Sequence, residues 1–137
     1  MARHKLSHEG TLVLDSEGLS KLLADDEQVV ALVAEARSRG MEIVISALAI
    51  IEAVHARTNK SRLNRVLSGL RVVPVGEEEA RAASKLLVDA GLHGHEYAID
   101  AAVAEAALRQ HRPVVMVTSD IDDMTKLCGD RVRPVAV

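Results

Sequence analysis

The chain has 137 residues, of which 48% are hydrophobic and 27% charged, and a formal net charge of −3 at pH 7. That length suits one compact domain with a sizeable core, and the apolar content excludes a disordered chain. The slight negative charge excludes a generic basic nucleic-acid binder and leaves an RNA or DNA substrate only through a local basic patch or a bound cation.

Residues 1–10, MARHKLSHEG, form a polar N-terminal extension with charges but no apolar run of the secretory kind. Residues 11–137 read as a single domain. No stretch approaches the ~20 apolar residues of a membrane span, so no membrane association is expected and the chain is placed in the cytoplasm. Short Val- and Ile-rich runs at Thr11–Leu14, Glu42–Ile45, Val72–Val75, Val114–Val117 and Val132–Val135 predict strands. Their unbroken apolar character predicts burial on both faces, as in a parallel sheet. Val29, Leu32, Val33 and Ala36 fall at helical spacing after Asp25 and Asp26, which can cap, and Gly40 ends that run. Ser46 can cap a helix running to about Arg57. Ala80, Ala83, Leu87 and Ala90 repeat the helical pattern with Gly91 as a stop, and Glu77 and Arg81 sit four apart on its outer face. A last long helix is expected over Glu96 to Arg109. The order β-α-α-β-α-α-β-α-α-β-α-β implies a three-layer α/β/α domain around a mostly parallel five-stranded sheet.

With no Trp, no Phe and Tyr97 as the sole aromatic residue, Leu, Val, Ile and Ala must pack the core. Cys128 stands alone, which rules out an intramolecular disulfide and a cysteine-rich zinc site and suits a small buried residue.

Four acids do not read as surface residues. Asp15 closes the first strand, Asp120 closes the fourth, and Glu52 and Asp100 interrupt otherwise apolar helical segments. Singly, each has a plainer explanation: Asp15 and Asp120 as helix caps, Glu52 and Asp100 as water-facing positions. Together they point elsewhere. In an open α/β sheet the ligand crevice lies outside the carboxyl ends of the strands, and helices following strands can lower Glu52 and Asp100 toward it. Converging carboxylates repel one another unless a cation sits among them, and all-oxygen ligation selects Mg²⁺ or Mn²⁺ over zinc. Carboxylate-held divalent ions activate water for displacement at phosphorus.

This arrangement resembles the PIN domain, specifically the VapC-type toxin ribonucleases of bacterial toxin–antitoxin systems, from about Thr11 to Val135. The resemblance is carried by Asp15 at the end of the first strand, Glu52 in the helix after the second, the Asp-Ala-x-x-Ala helix of Asp100, Ala101 and Ala104, and Thr118-x-Asp120 after the fourth strand. Asp123 resembles an extra acid found in a subgroup, and Ser16 fits the small polar residue common after the first acid. Glu17 and Gly18 depart from the family pattern, as does the extension before the first strand. The resemblance implies an endoribonuclease toxin in which Asp15 and Asp100 bind Mg²⁺ or Mn²⁺ directly and Asp120 assists. Glu52 would hold a water and orient the nucleophile, with Thr118, Ser119 and Asp123 in support. It also implies a cognate antitoxin and a homodimer.

Arg57, Lys60, Arg62 and Arg65 make a basic cluster after the Glu52 helix that could hold an RNA backbone or serve as ordinary solvated charge. His93 and His95 read as polar surface. Aromatic stacking on bases is essentially unavailable. Two other functions compete. A catalytically silent PIN-like RNA-binding or scaffold protein would be free to lose an acid, yet all four are present. A phospho-accepting receiver domain would have an Asp after the third strand and a Lys after the fifth; Pro74-Val75-Gly76 and Ala136-Val137 stand there instead.

Overall fold

The computed structural model describes residues 9–137, so most of the expected N-terminal extension lies outside the described residues. The elements follow in the order β1 (Thr11–Leu14), α1 (Ser16–Leu23), α2 (Glu27–Ser38), β2 (Glu42–Ser46), α3 (Ala47–Ala53), α4 (Lys60–Ser68), β3 (Arg71–Val73), α5 (Glu77–Ala90), α6 (Gly94–Leu108), β4 (Val114–Thr118), α7 (Ile121–Cys128) and β5 (Val132–Ala136), with a short 3-10 turn before β5. This is the expected alternation. The strands lie side by side as β3-β2-β1-β4-β5, and every pairing is parallel.

All of β1 is buried. Because successive side chains on a strand point to opposite faces, such a strand must be covered on both sides, which makes the domain three-layered. The two edge strands depart from the expected burial. Arg71 and Val72 of β3 and Arg133 of β5 are exposed, because an edge strand has a neighbour on one side only. β3 also begins at Arg71 and ends at Val73, ahead of Pro74, which has no N–H for the ladder.

Most helix boundaries follow the capping chemistry. Asp26 accepts from the Val29 N–H at 3.1 Å to start α2, and Gly91 closes α5 in the left-handed region at φ 70°. Glu77 and Arg81 pair at 2.8 Å on the exposed face of α5. Two boundaries differ from expectation. The helix capped by Ser46 stops at Ala53, far short of Arg57, because Val54 turns extended and the His55 N–H donates to Thr58 Oγ1 at 2.9 Å rather than continuing the helix. The last long helix starts earlier, at Gly94, and its backbone breaks from helical geometry at Tyr97 (φ −115°, ψ 18°).

Leu14, Leu19, Ile45, Met116 and Met124 are fully buried and, with many Val and Ala residues, fill an aliphatic core. Cys128 is buried at its edge, and burial pushes its thiol up to about 11. Gly18 allows the close seat of α1: a Cβ there would come within 3.3–3.4 Å of Leu14 and Val117 side-chain atoms. Among the described residues, no helix is long and apolar enough to cross a membrane.

Sheet order decides where a site can form. β1 is flanked by β2 on one side and by β4 on the other, and Leu14 is in register with Val117. The chain leaving β1 and the chain leaving β4 therefore emerge side by side at the carboxyl edge, where strand order changes direction.

Candidate active site: a carboxylate crevice

Asp15 and Asp120 emerge at that edge. A crevice of about 240 Å³ is lined there by Asp15, Ser16, Glu17, Ser20, Glu52, Asp100, Ser119 and Asp120. The four acids singled out in the sequence thus border one space, each delivered by a different element: the end of β1, α3, α6 and the end of β4.

Their surroundings differ. Asp15 is 3% exposed and does two jobs. It caps α1, accepting from the Gly18 N–H at 2.8 Å, so the capping explanation holds for it. The Thr118 side chain and the Ser119 backbone also hydrogen-bond its carboxylate. Thr118 is fully buried, and its Oγ1 accepts from the Asp120 N–H at 2.9 Å. One hydroxyl therefore gives to Asp15 and takes from the backbone of Asp120, using both halves of its bonding capacity. Asp120 opens α7 but makes no side-chain cap, so capping does not account for it. It is exposed, as is Glu52, contrary to the expectation that neither is a surface residue. The crevice is open, and both sit at its mouth. Ser16 donates to Glu52 Oε1 at 2.6 Å and so fixes one oxygen of that carboxylate.

Burial raises the Asp15 carboxyl above its usual value against those hydrogen bonds, and the nearby Asp120 raises it further. Asp100, half-buried, is pushed up to about 6, first by desolvation and then by the negative charges of Asp120, Glu52, Asp123 and Asp15. None of these acids takes part in an ion pair among the described residues. A half-buried carboxylate surrounded by like charge, with no basic partner, is an electrostatic deficit that a bound cation would offset.

The structure puts the other sequence candidates at varying distances. Ser119 lines the crevice, and Asp123 lies in the adjoining recess with Asp120 and Asp122. Of the basic cluster, Arg62 turns inward: its guanidinium donates to the carbonyls of Leu22 and Leu23 and pairs with Asp25, stapling α4 to the end of α1. Arg57, Lys60 and Arg65 are exposed. His93 and His95 are exposed as expected, but His95 lines a recess with Glu52 and Asp100. Tyr97, unpromising as a lone aromatic, stands close enough to Asp123, Glu96, Asp100 and Asp120 for their charges to raise its phenol. The signal for it lay in spacing: Tyr97 precedes Asp100 by three residues, within one helical turn.

Among the described residues, no three His, Cys, Asp or Glu side chains form a ready-made metal cage. The donors at the crevice are carboxylate oxygens, which Mg²⁺ and Mn²⁺ take in preference to zinc. Mg²⁺ keeps several waters and is held by one or two carboxylates, and Asp15 and Asp100 offer oxygen donors of that kind. The donor set therefore fits a hard divalent cation.

No protein-family model and no curated protein sequence matches the chain. Solved structures do. A chain of VapBC2 from Rickettsia felis, bound to a DNA fragment from its promoter, superposes with a TM-score of 0.70 at 16% identity, covering 93% of this chain and 99% of that one. A toxin–antitoxin complex from Klebsiella pneumoniae gives 0.66 at 14% identity, with coverage of 89% and 95%. FitAB bound to the IR36 DNA fragment gives 0.66 at 19% identity, with coverage of 92% and 94%. At these identities it is the fold that is shared, over nearly the whole of each chain, and it is the PIN-like α/β/α fold implied by the sequence resemblance.

Proposed function

We propose that this chain is a Mg²⁺- or Mn²⁺-dependent endoribonuclease, the toxin of a toxin–antitoxin pair, held in check by a cognate antitoxin. One observation carries the reading: Asp15, Glu52, Asp100 and Asp120 border one crevice at the carboxyl edge of the sheet without a basic partner among the described residues. The fold shared with chains of toxin–antitoxin complexes supports the biological setting.

Asp15 and Asp100 would hold the cation, with Asp120 beside them. When bound, the cation supplies neutralisation of the phosphate and a more acidic water. The chain's own residues do the rest. Thr118 and the Gly18 N–H hold the Asp15 carboxylate in one orientation. Glu52, steadied by Ser16, is the base that takes a proton from the attacking water. Water adds to phosphorus as its proton passes to Glu52, the phosphodiester P–O bond breaks, and the departing ribose oxygen takes a proton from solvent water at the open crevice and leaves as an alcohol. Exposure of Glu52 and Asp120 keeps the crevice open to a polymer substrate.

Purified protein should melt at higher temperature as Mg²⁺ or Mn²⁺ is added, because the ion binds the folded state only. It should also cut single-stranded RNA in a manner reversed by chelation. Asp15→Asn keeps the cap but loses the charge, and should lose both responses. RNA binding without cleavage and without a metal-dependent shift would instead support a silent scaffold. Expression of the wild type alone should slow bacterial growth, with Asp15→Asn relieving it.

A further inference from the structure

The turn between α3 and α4 forms one wall of a second cavity, about 290 Å³, which meets the carboxylate crevice at Ser20. Its floor is apolar, made by Leu23, Ala24 and Ala53; its wall carries His55 and Arg57, and no carboxylate lines it. The lining changes from acidic to basic across a single shared residue.

The wall is set before any ligand arrives. The His55 N–H donates to Thr58 Oγ1 at 2.9 Å, and the Thr58 N–H donates back to the His55 carbonyl at 3.0 Å. The Arg57 N–H donates to His55 Nδ1 at 3.1 Å. A backbone N–H can only donate, so Nδ1 carries the lone pair and Nε2 carries the proton, which makes Nε2 a hydrogen-bond donor. Arg62 anchors the segment from below through Leu22, Leu23 and Asp25, and its charge is used internally. Arg57 is in no ion pair among the described residues.

We infer that this cavity is the subsite for the nucleotide next to the scissile phosphate of single-stranded RNA, with the base on the Leu23, Ala24 and Ala53 floor and its phosphate on Arg57 and His55 Nε2. The inference rests on the nuclease reading and names how that site would grip its substrate. A polynucleotide alternates an apolar base with a negative phosphate, and the cavity offers a matching pair of surfaces beside the crevice. Only an unpaired base can splay into such a recess, which selects single strands. At about 290 Å³ the cavity lies at the roughly 300 Å³ where sites for drug-sized molecules begin, the scale of one nucleotide.

The test uses the full chain and a fluorescein-labelled single-stranded RNA of about ten nucleotides, within the span a binding groove covers. Affinity is read by anisotropy in the Asp15→Asn background, so that the strand is not cut. Adding Arg57→Ala should weaken binding about tenfold and flatten the slope of log K against log salt by roughly 0.7, as for one lost single-strand phosphate contact. Ala24 is exposed at the end of α1, so Ala24→Met fills the floor without a change of charge or fold. It should weaken binding about tenfold at unchanged salt slope. In otherwise wild-type protein, both variants should keep the full Mg²⁺-induced rise in melting temperature. Unchanged RNA affinity in both variants overturns the inference, leaving the cavity to a segment of a partner protein, while the nuclease reading stands or falls on its own metal and cleavage responses. A parent that does not bind the RNA at all overturns the subsite as well, and the metal response then shows whether the crevice reading survives.

Discussion

Helix α6 carries three acids, and the two in its Ala-rich stretch, five positions apart, have opposite fates. Glu105, 6% exposed, is paired with Arg109 one turn later at 2.6 Å. Asp100 has no such partner and faces Asp120, Glu52, Asp123 and Asp15. The same residue chemistry thus serves two ends on one helix. At the C-terminal half a buried charge is compensated within the chain; at the N-terminal half it is left uncompensated, the deficit that the proposed cation would offset.

Substitutions on each side can break this contrast. The largest effect is expected from Asp100→Asn, which should lower RNA cleavage on the order of 10³-fold, as removal of a key electrostatic group does, while leaving the metal-free protein at least as stable as wild type. Cleavage rates and chemical denaturation on the same preparation check both halves. Arg109→Ala should do the reverse, costing roughly 2 kcal/mol of stability, since the buried Glu105 loses its partner while Arg109 itself is partly solvated, with cleavage per folded molecule unchanged. Thr118→Val removes the hydroxyl that bridges Asp15 and the Asp120 backbone. It should cost about 1–2 kcal/mol and lower cleavage at neutral pH, because Asp15 loses a bond that favours its charged form.

The smallest effect concerns acidity. Asp100 binds its proton more tightly in the folded chain, at about 6, than at the ordinary 3.8. The folded state holds the extra proton between those values, so metal-free stability should rise as pH falls from about 6 toward 4 and decline as pH rises through 6. Discounted for the solvent around a half-buried group, the change is on the order of 1 kcal/mol, and Asp100→Asn should flatten it. The stabilisation by Mg²⁺ should run the other way, growing as pH rises through 6, because cation and proton compete for one carboxylate. Melting curves at pH 5 and pH 7.5, with and without Mg²⁺, give all four arms.

Much of this was legible in the residues, for reasons of range. Asp15 and Asp120 are marked by their place at the ends of apolar runs, and Asp100 and Glu52 by interrupting apolar helices. Those are local signals, and parallel topology then brings strand ends together. Glu105 interrupts the same Ala-rich helix and is buried, yet it is missing from the four acids singled out in the sequence; Arg109 four residues on is the local feature that sets it apart from Asp100. What was not legible depends on docking. Nothing near Arg62 tells it from Arg57; the carbonyls of Leu22 and Leu23, which claim Arg62, lie 39–40 residues away and reach it only once α1 and α4 pack. Ser16 and Glu52 meet across 36 residues in the same way. The early end of α3 was hidden because Thr58 competes for a backbone N–H that spacing alone would assign to the helix.

The pairing of β1 with β4 has a consequence for synthesis. Leu14 finds Val117 only after more than a hundred residues have been made, and Asp15 receives its Thr118 bond and its neighbour Asp120 at the same moment. Helices α1 and α2 and the β1–β2 pair can assemble early on a growing chain, since domains fold as their segments emerge. The crevice cannot. A fragment released before β4 would contain Asp15, Glu52 and even Asp100, yet lack the strand that draws them to one edge. In a chain cut short before β4 the crevice is therefore never assembled, and its four acids come together only once β4 has joined β1.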